Sequence, residues 1–253
     1  MILNFDSKLV SNSSFSEQLN CVTSSPSLCN LGEDTNHAYI NTATMYNNIA
    51  NDFRSFNLAI SSQIFSEIEI MLKFCSSKGL ILDAGCGSGV YTSYMASRGF
   101  NVRGVDFSSG QIALAQSFCK NQKIDWRCEN LVSFKVNKEE YDGILINSCF
   151  HHILFKDQYR FLKKMCFSLR NTGRILFITK IHPFTHQLRI EGNVFNKHSI
   201  RFSLRRTEED ILKLIYDSGL KVEFVLHKEQ HHSDKQCFFH HMILSKKFTN
   251  CIP

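Results

Sequence analysis

The residues of this chain best suited to chemistry fall in three places. Asp83, Gly85, Gly87 and Gly89 lie in the stretch Gly79-Leu80-Ile81-Leu82-Asp83-Ala84-Gly85-Cys86-Gly87-Ser88-Gly89, and Asp106 follows Asp83 by 23 positions. Three histidines, His151, His152 and His182, stand just after apolar runs. Imidazole titrates near neutrality, so a histidine at a strand end can take a proton at working pH. A carboxylate can accept hydrogen bonds from paired hydroxyl donors. Glycines at alternate positions let the backbone turn tightly and approach a ligand that any Cβ would push away. Cys86, inside the triplet, reads as a small filler and not as a nucleophile.

These side chains need elements to position them. The apolar run ending at Asp83 is short enough to be a buried strand, and after the glycines Val90, Tyr94 and Met95 fall on one helical face. Strand, glycine turn and helix make the layout of a nucleotide-binding crossover. The spacing is Gly-x-Gly-x-Gly, not the Gly-x-Gly-x-x-Gly of dinucleotide enzymes. Asn101 to Asp106 alternates as a second strand ending in an acid, and Ser108-Ser109 opens a helix reaching about Lys120. A competing reading of Asp106 is therefore a helix N-cap. Ile124–Cys128 and Tyr141–Asn147 read as the third and fourth strands. A helix from Lys156 to Leu169, a turn at Asn171-Thr172-Gly173 and a fifth strand at Arg174–Thr179 follow. Thr207, with Asp210 three residues later, caps a helix over 207–217 that ends at Ser218-Gly219. Leu220–His227 and Cys237–Ser245 pair as a closing antiparallel hairpin. Upstream, 41–75 is helical, with Tyr46, Ile49, Ala50 and Phe53 on one stripe and Ile64, Phe65, Ile68, Met71 and Leu72 on another. Residues 1–36, rich in Ser and Asn, read as a flexible arm.

Asp83-Ala84-Gly85-Cys86-Gly87-Ser88-Gly89 resembles the first motif of the class I S-adenosylmethionine-dependent methyltransferases. The resemblance runs on through Asp106, Glu129-Asn130-Leu131 and Tyr141-Asp142 to His151-His152, over roughly 41–246. It points to the small-molecule group that includes ubiquinone and menaquinone biosynthesis enzymes. It implies an α/β Rossmann-like fold: a seven-stranded, mostly parallel sheet with an antiparallel last strand and helices on both faces. It also implies a methyltransferase domain over 37–253, with a helical cap at 41–75, a substrate-covering insertion at about 181–206, and the arm at 1–36 as a possible lid.

The same resemblance assigns S-adenosylmethionine as cofactor. Asp83, Gly85, Cys86, Gly87 and Gly89 then form its cradle, and Asp106, followed by Phe107, accepts from both ribose hydroxyls. Glu129, Asn130 and Leu131 meet the adenine, Asn130 standing where relatives often carry Asp. Asn147 and Ser148 close the site at the end of the fourth strand. His151 resembles the first histidine of a Leu-His-His segment and is the first choice of general base, with His182 sharing the task and His152 orienting. Tyr46, in Tyr46-Asn47-Asn48-Ile49-Ala50, resembles the Tyr of a Tyr-Asp-x-x-Ala segment near the substrate; Tyr39 is a weaker candidate of that kind. Competing readings stay open: the histidine pair as a strand cap, and Tyr46 as a packing residue.

Composition narrows the partners. The chain has 253 residues, 43% hydrophobic, with a net charge of +6. Its basic residues are scattered, with short pairs such as Lys163-Lys164 and Arg205-Arg206, which argues against a dedicated nucleic-acid surface. Ten cysteines with no Cys-x-x-Cys pair read as reduced thiols of a cytoplasmic protein. No secretory start is apparent, and no apolar stretch approaches the ~20 residues needed to span a membrane. Adjacent histidines in a strand, as at His231-His232 and His240-His241, point to opposite faces, so no metal site is expected. The expectation is a monomer or homodimer moving a methyl group to an oxygen or nitrogen of a small molecule. The alternatives are RNA or protein methylation and a non-methylating use of the cofactor, such as cyclisation. No Asn-Pro-Pro-Tyr-type signature follows the fourth strand, where the chain reads Asn147-Ser148-Cys149-Phe150.

Overall fold

The computed structural model describes residues 35–230 and 237–247. The arm expected over 1–36 lies outside the described residues, apart from the two positions that open the first helix, and so do His231 and His232.

Three helices lead the described chain: α1 (Thr35–Asn48), α2 (Ala50–Ala59) and α3 (Ser61–Leu72), broken at Ile49 and Ile60. Then come β1 (Leu80–Ala84), α4 (Val90–Ser97), β2 (Asn101–Asp106), α5 (Ser109–Phe118), β3 (Ile124–Cys128) and β4 (Tyr141–Asn147). A single 3-10 turn at Phe150–His152 precedes α6 (Phe155–Ser168), β5 (Leu169–Ile181), β6 (His186–Val194) and β7 (Lys197–Arg205). The chain closes with α7 (Glu208–Asp217), β8 (Leu220–Gln230) and β9 (Phe238–Lys246).

Seven strands form one sheet in the order β3-β2-β1-β4-β5-β9-β8. β1 is parallel to β2 and β4, and β3 and β5 extend the parallel run on either side. β9 lies antiparallel between β5 and β8. This is the expected seven-stranded, Rossmann-like α/β architecture with its last strand reversed. The strand order reverses between β1 and β4, where an open α/β sheet leaves a crevice at the carboxyl ends of its strands.

The sheet is buried on both faces, which explains its nearly unbroken apolar strands. Leu82, Ile144, Ile146, Ile175 and Phe177 face α6 and α7, packing with Phe161, Met165, Ile211 and Ile215. Ile81, Leu145, Leu176 and Ile243 face the other way, onto Ile68, Met71, Val90 and Met95 of α3 and α4. Burying a side chain of this size contributes about 1.5–3 kcal/mol.

One segment differs from expectation. Asn171-Thr172-Gly173 is not a turn ahead of the strand but lies within β5. Tyr141 pairs with Leu169 and Gly143 with Arg174, so 170–173 stand opposite the single residue Asp142 and are absorbed as a bulge. The segment 181–206 carries an antiparallel hairpin, β6–β7, closed by Phe195 and Asn196 with φ of 49° and 61°. Left-handed angles at both positions suit the two-residue turn that matches strand twist. The hairpin packs on α1: Phe202 and Leu204 meet Ala38 and Leu154, while Val194 meets Met45 and Ile49.

Candidate functional site

The glycine turn sits at the switch point. Gly85, Gly87 and Gly89 have φ of 79°, 52° and 76°, the left-handed region that other residues enter at a cost. Packing fixes the outer two as well. A Cβ on Gly85 would lie 2.5 Å from Cβ of Cys149, and one on Gly89 would lie 2.3 Å from the Trp126 ring. Gly87 is different: the nearest protein atoms to a Cβ there are Gln111 Oε1 and Phe53 Cε1, at 3.8 and 3.9 Å. Space beside Gly87 is what a backbone cradle for a ligand requires.

Two buried acids flank the turn. Asp106 Oδ2 accepts from Gly87 N and Oδ1 from Ser108 N, both at 2.9 Å. Phe107 N–H is a third backbone donor acting on this carboxylate. The N-cap of α5 is Ser108, whose Oγ accepts from Gln111 N, so the capping role does not fall on Asp106. Asp83 lies beneath the turn, accepting the Thr92 hydroxyl at 2.5 Å. Burial pushes its carboxyl up to about 7, against the Thr92 bond and helped by the Asp106 charge. Burial raises Asp106 too, opposed by its backbone N–H bonds. Among the described residues, none of the groups that set these two ionisations is basic.

The three residues beyond β3 present different groups. Asn130 Oδ1 accepts from Val132 N at 2.8 Å, which leaves the amide N–H₂ as the free end of that side chain. Leu131 points into the main core instead of outward, and its carbonyl accepts from Lys164 Nζ at 2.5 Å. Of its groups, only the backbone N–H is left for a ligand. Glu129 is exposed and Phe107 half-buried. Cys86 is buried, and burial drives its thiol well above the usual range, so it fills space and does not react.

At the end of β4, Ser148 takes a φ of 55°, and its hydroxyl donates to Asn147 Oδ1 at 2.9 Å. Tyr91 also bonds the Asn147 side chain. Cys149 Sγ donates to Ala84 O at 3.0 Å, tying this strand end to the glycine turn.

His151, His152 and His182 are all buried, at 6%, 9% and 6% exposure. His152 Nδ1 lies 2.7 Å from Phe202 O on β7, and a carbonyl can only accept, so this nitrogen carries the proton. Burial pushes the ring down to about 3, so it is neutral and Nε2 is an acceptor. The Tyr46 hydroxyl donates to it at 3.0 Å. Burial raises Tyr46 to about 12, so the phenol keeps its proton. The His151 ring stands 4.2 Å from that of His152, and its Nδ1 has no hydrogen-bond partner among the described residues. Burial first, then the basic groups His152, Lys180, Arg201 and His182 around it, hold it well below its ordinary range. His182 is thus brought to the same cluster.

Several contacts were not read from the sequence. Asn47 Oδ1 accepts from Ser108 Oγ at 2.6 Å and Gly110 N at 2.8 Å, Gln111 Nε2 donates to Tyr46 O at 3.1 Å, and Arg54 Nη1 donates to Ser88 O at 2.7 Å. These bonds fasten α1 and α2 over the glycine turn. The signal for Asn47 was its place beside Tyr46; Arg54 and Gln111 have none. His240 and His241 face apart, His240 toward Glu208 at 3.5 Å and His241 onto buried Glu67 at 2.7 Å. No helix among the described residues is long and apolar enough to cross a membrane.

Residues 82–177 match a family model described as a methyltransferase domain. An uncharacterised methyltransferase of Schizosaccharomyces pombe is 26% identical over 166 residues, 59% of this chain and 62% of the relative. A ubiquinone biosynthesis O-methyltransferase of Coxiella burnetii is 27% identical over 101 residues, 39% of this chain and 42% of the relative. The chain thus spans between 42% and 62% of the length of these curated relatives. The 1,6-didemethyltoxoflavin-N1-methyltransferase of Burkholderia thailandensis was solved with 1,6-didemethyltoxoflavin and S-adenosylhomocysteine bound. It matches with a TM-score of 0.64 at 18% identity, covering 88% of this chain and 94% of that one. At that identity the likeness is one of fold.

Proposed function

We propose, for a chain that carries a class I S-adenosylmethionine-dependent methyltransferase domain, that it transfers a methyl group from S-adenosylmethionine to an oxygen or nitrogen of a small molecule. The observation that carries this reading is the pairing of an open Gly87 with two buried carboxylates that no basic side chain among the described residues neutralises. Such a site suits a ligand that is cationic and rich in hydroxyl donors, and S-adenosylmethionine is both.

In this reading Gly85, Gly87 and Gly89 supply the backbone cradle, and Asp106 accepts from the ribose. Asp83 adds negative charge from below while bracing α4 through Thr92. Asn130 meets the adenine as a donor, through its free N–H₂. Asn147 and Ser148 line the end of β4. When bound there, S-adenosylmethionine supplies an electrophilic methyl on a sulfonium centre.

His151 is the proton acceptor for a hydroxyl or amine nucleophile, because both nitrogens of His152 are engaged and the Tyr46 phenol is committed to His152. Such a base contributes about 10²–10⁴-fold. Burial keeps the His151 ring unprotonated in the ligand-free protein and weakens it as a base. His182 flanks the same position. The reactive groups lie under α1 and the β6–β7 hairpin at no more than 9% exposure, which favours a small acceptor over a macromolecule. Residues 37–253 serve as the catalytic unit, with 41–75 as its cap and 181–206 as the substrate cover.

Isothermal titration with S-adenosylmethionine and S-adenosylhomocysteine tests the reading. Saturable binding that Asp106→Ala weakens by tenfold or more is expected. A correctly folded protein that binds neither compound overturns it.

A further inference from the structure

The site is divided by sign. Asp83 and Asp106 flank the glycine turn, and on the far side of Tyr46 the side chains acting on His151 are basic ones. Arg201, half-buried on β7, makes one hydrogen bond among the described residues, from Nη1 to the thioether of Met45 at 3.7 Å. A guanidinium has five donors in a planar fork suited to carboxylate or phosphate. A thioether is a weak acceptor, and a half-buried arginine facing one has most of its capacity unspent.

The position of Arg201 joins it to the candidate base. Met45 precedes Tyr46, the Tyr46 hydroxyl is 3.0 Å from His152 Nε2, and the His152 ring is 4.2 Å from that of His151. Phe202, next to Arg201, holds the other nitrogen of His152 through its carbonyl. Two unpartnered polar atoms on other elements add to this. His151 Nδ1 has no partner at 6% exposure, and Thr179 Oγ1, on β5 beside Lys180, has none at 1% exposure. Around His151 the standing charges are those of Lys180 on β5 and Arg201 on β7, with the rings of His152 on the 3-10 turn and His182 after β5 beside them, and no carboxylate is among the groups acting on it.

We infer that the acceptor carries an oxyanion, a carboxylate or a phosphate, and that Arg201 is the residue that selects it. The inference rests on the proposed methyl transfer and names the substrate class for it. The anion offsets the cluster of positive charge, and so restores basicity to His151 only when a proper acceptor is in place. A neutral molecule of the same size leaves that charge uncompensated and binds weakly.

The test uses the full chain saturated with S-adenosylhomocysteine. Benzoate and phenyl phosphate are the anionic probes and benzamide the neutral match, followed by titration calorimetry and by thermal shift. Expected is binding of at least one anionic probe about tenfold or more tighter than benzamide, the better of the two identifying carboxylate or phosphate. Arg201→Met, which keeps the side-chain length, removes that preference while S-adenosylhomocysteine binding stays unchanged; Arg201→Lys restores part of it. Equal binding of benzamide, no binding of any probe by protein that holds S-adenosylhomocysteine, or an unaltered preference in Arg201→Met overturns the inference. Failure to bind S-adenosylhomocysteine overturns the proposed function instead, so the two failures are distinguishable.

Discussion

Tyr46 on α1 donates its hydroxyl hydrogen to Nε2 of His152 at 3.0 Å, while the opposite nitrogen of that ring donates to the Phe202 carbonyl at 2.7 Å. A helix from the start of the described chain and a hairpin from its second half are therefore joined through one imidazole. Tyr46→Phe keeps the ring and deletes only the donor, leaving a buried nitrogen unpaired. A loss of about 1–3 kcal/mol in stability is expected, measured by urea denaturation. Turnover falls as well, because the His151 ring lies against one that can now shift. Unchanged stability would mean the bond contributes nothing.

His151 is the exposed test of the proposed chemistry. His151→Asn lowers kcat by about 10²–10⁴-fold and leaves the S-adenosylhomocysteine dissociation constant within about twofold of the parent. Steady-state kinetics and calorimetry on the same preparation check it. His182→Asn has a smaller effect of the same sign, since His182 acts beside His151.

Asp83 gives the ligand-free protein a defined pH response. Its carboxyl sits at about 7 when folded, against an ordinary value of 3.8. Below 3.8 both states hold the proton and no difference arises. Between the two values the unfolded chain ionises and the folded chain does not, so stability falls as pH rises toward about 7 and levels off above it. Asp83→Asn, which cannot ionise, flattens that slope. Urea midpoints of the two proteins at about pH 4.5 and 7.5 measure the difference.

Trp126 is the chain's one tryptophan, and its ring lies where a Cβ on Gly89 would fall. Its emission therefore reports on the glycine turn, and titration with S-adenosylhomocysteine is expected to change it in a saturable way. Gly89→Ala drives a methyl into the ring at a φ of 76° and destabilises by about 2 kcal/mol or more. Gly99→Ala is the control: its φ is also positive, at 101°, but nothing lies within 4 Å, so only the backbone cost remains.

The central strands β1 and β4 were legible because each is buried on both sides and reads as an apolar run between polar breaks. Ile144, Leu145 and Ile146 alternate between two cores, yet all three are apolar. The same logic failed at β5, where Asn171-Thr172-Gly173 has turn chemistry but lies in a bulge that only pairing with β4 defines. It failed again at β6 and β7, whose many charged residues hide the alternation. In the site, the glycine spacing and Asp106 follow from local geometry and could be read directly. Leu131 could not, because a core contact and an outward one look alike in a single apolar residue. Arg201 was also invisible: its isolation depends on what other segments do not bring near it.

The placement of β9 has a consequence for how the molecule can be cut. It runs between β5 and β8, pairing with both along nearly its full length. The last strand of the described chain thus becomes an inner slat of the sheet. Terminating synthesis ahead of Phe238 would not shave off a peripheral element. It would strand β8 without any neighbour, strip one margin from β5, and free the Glu67 carboxylate from His241, loosening α3 from the far end of the chain. Shortened versions should therefore fail as a whole, and a partner fused after Lys246 must leave that slat free to slide into place.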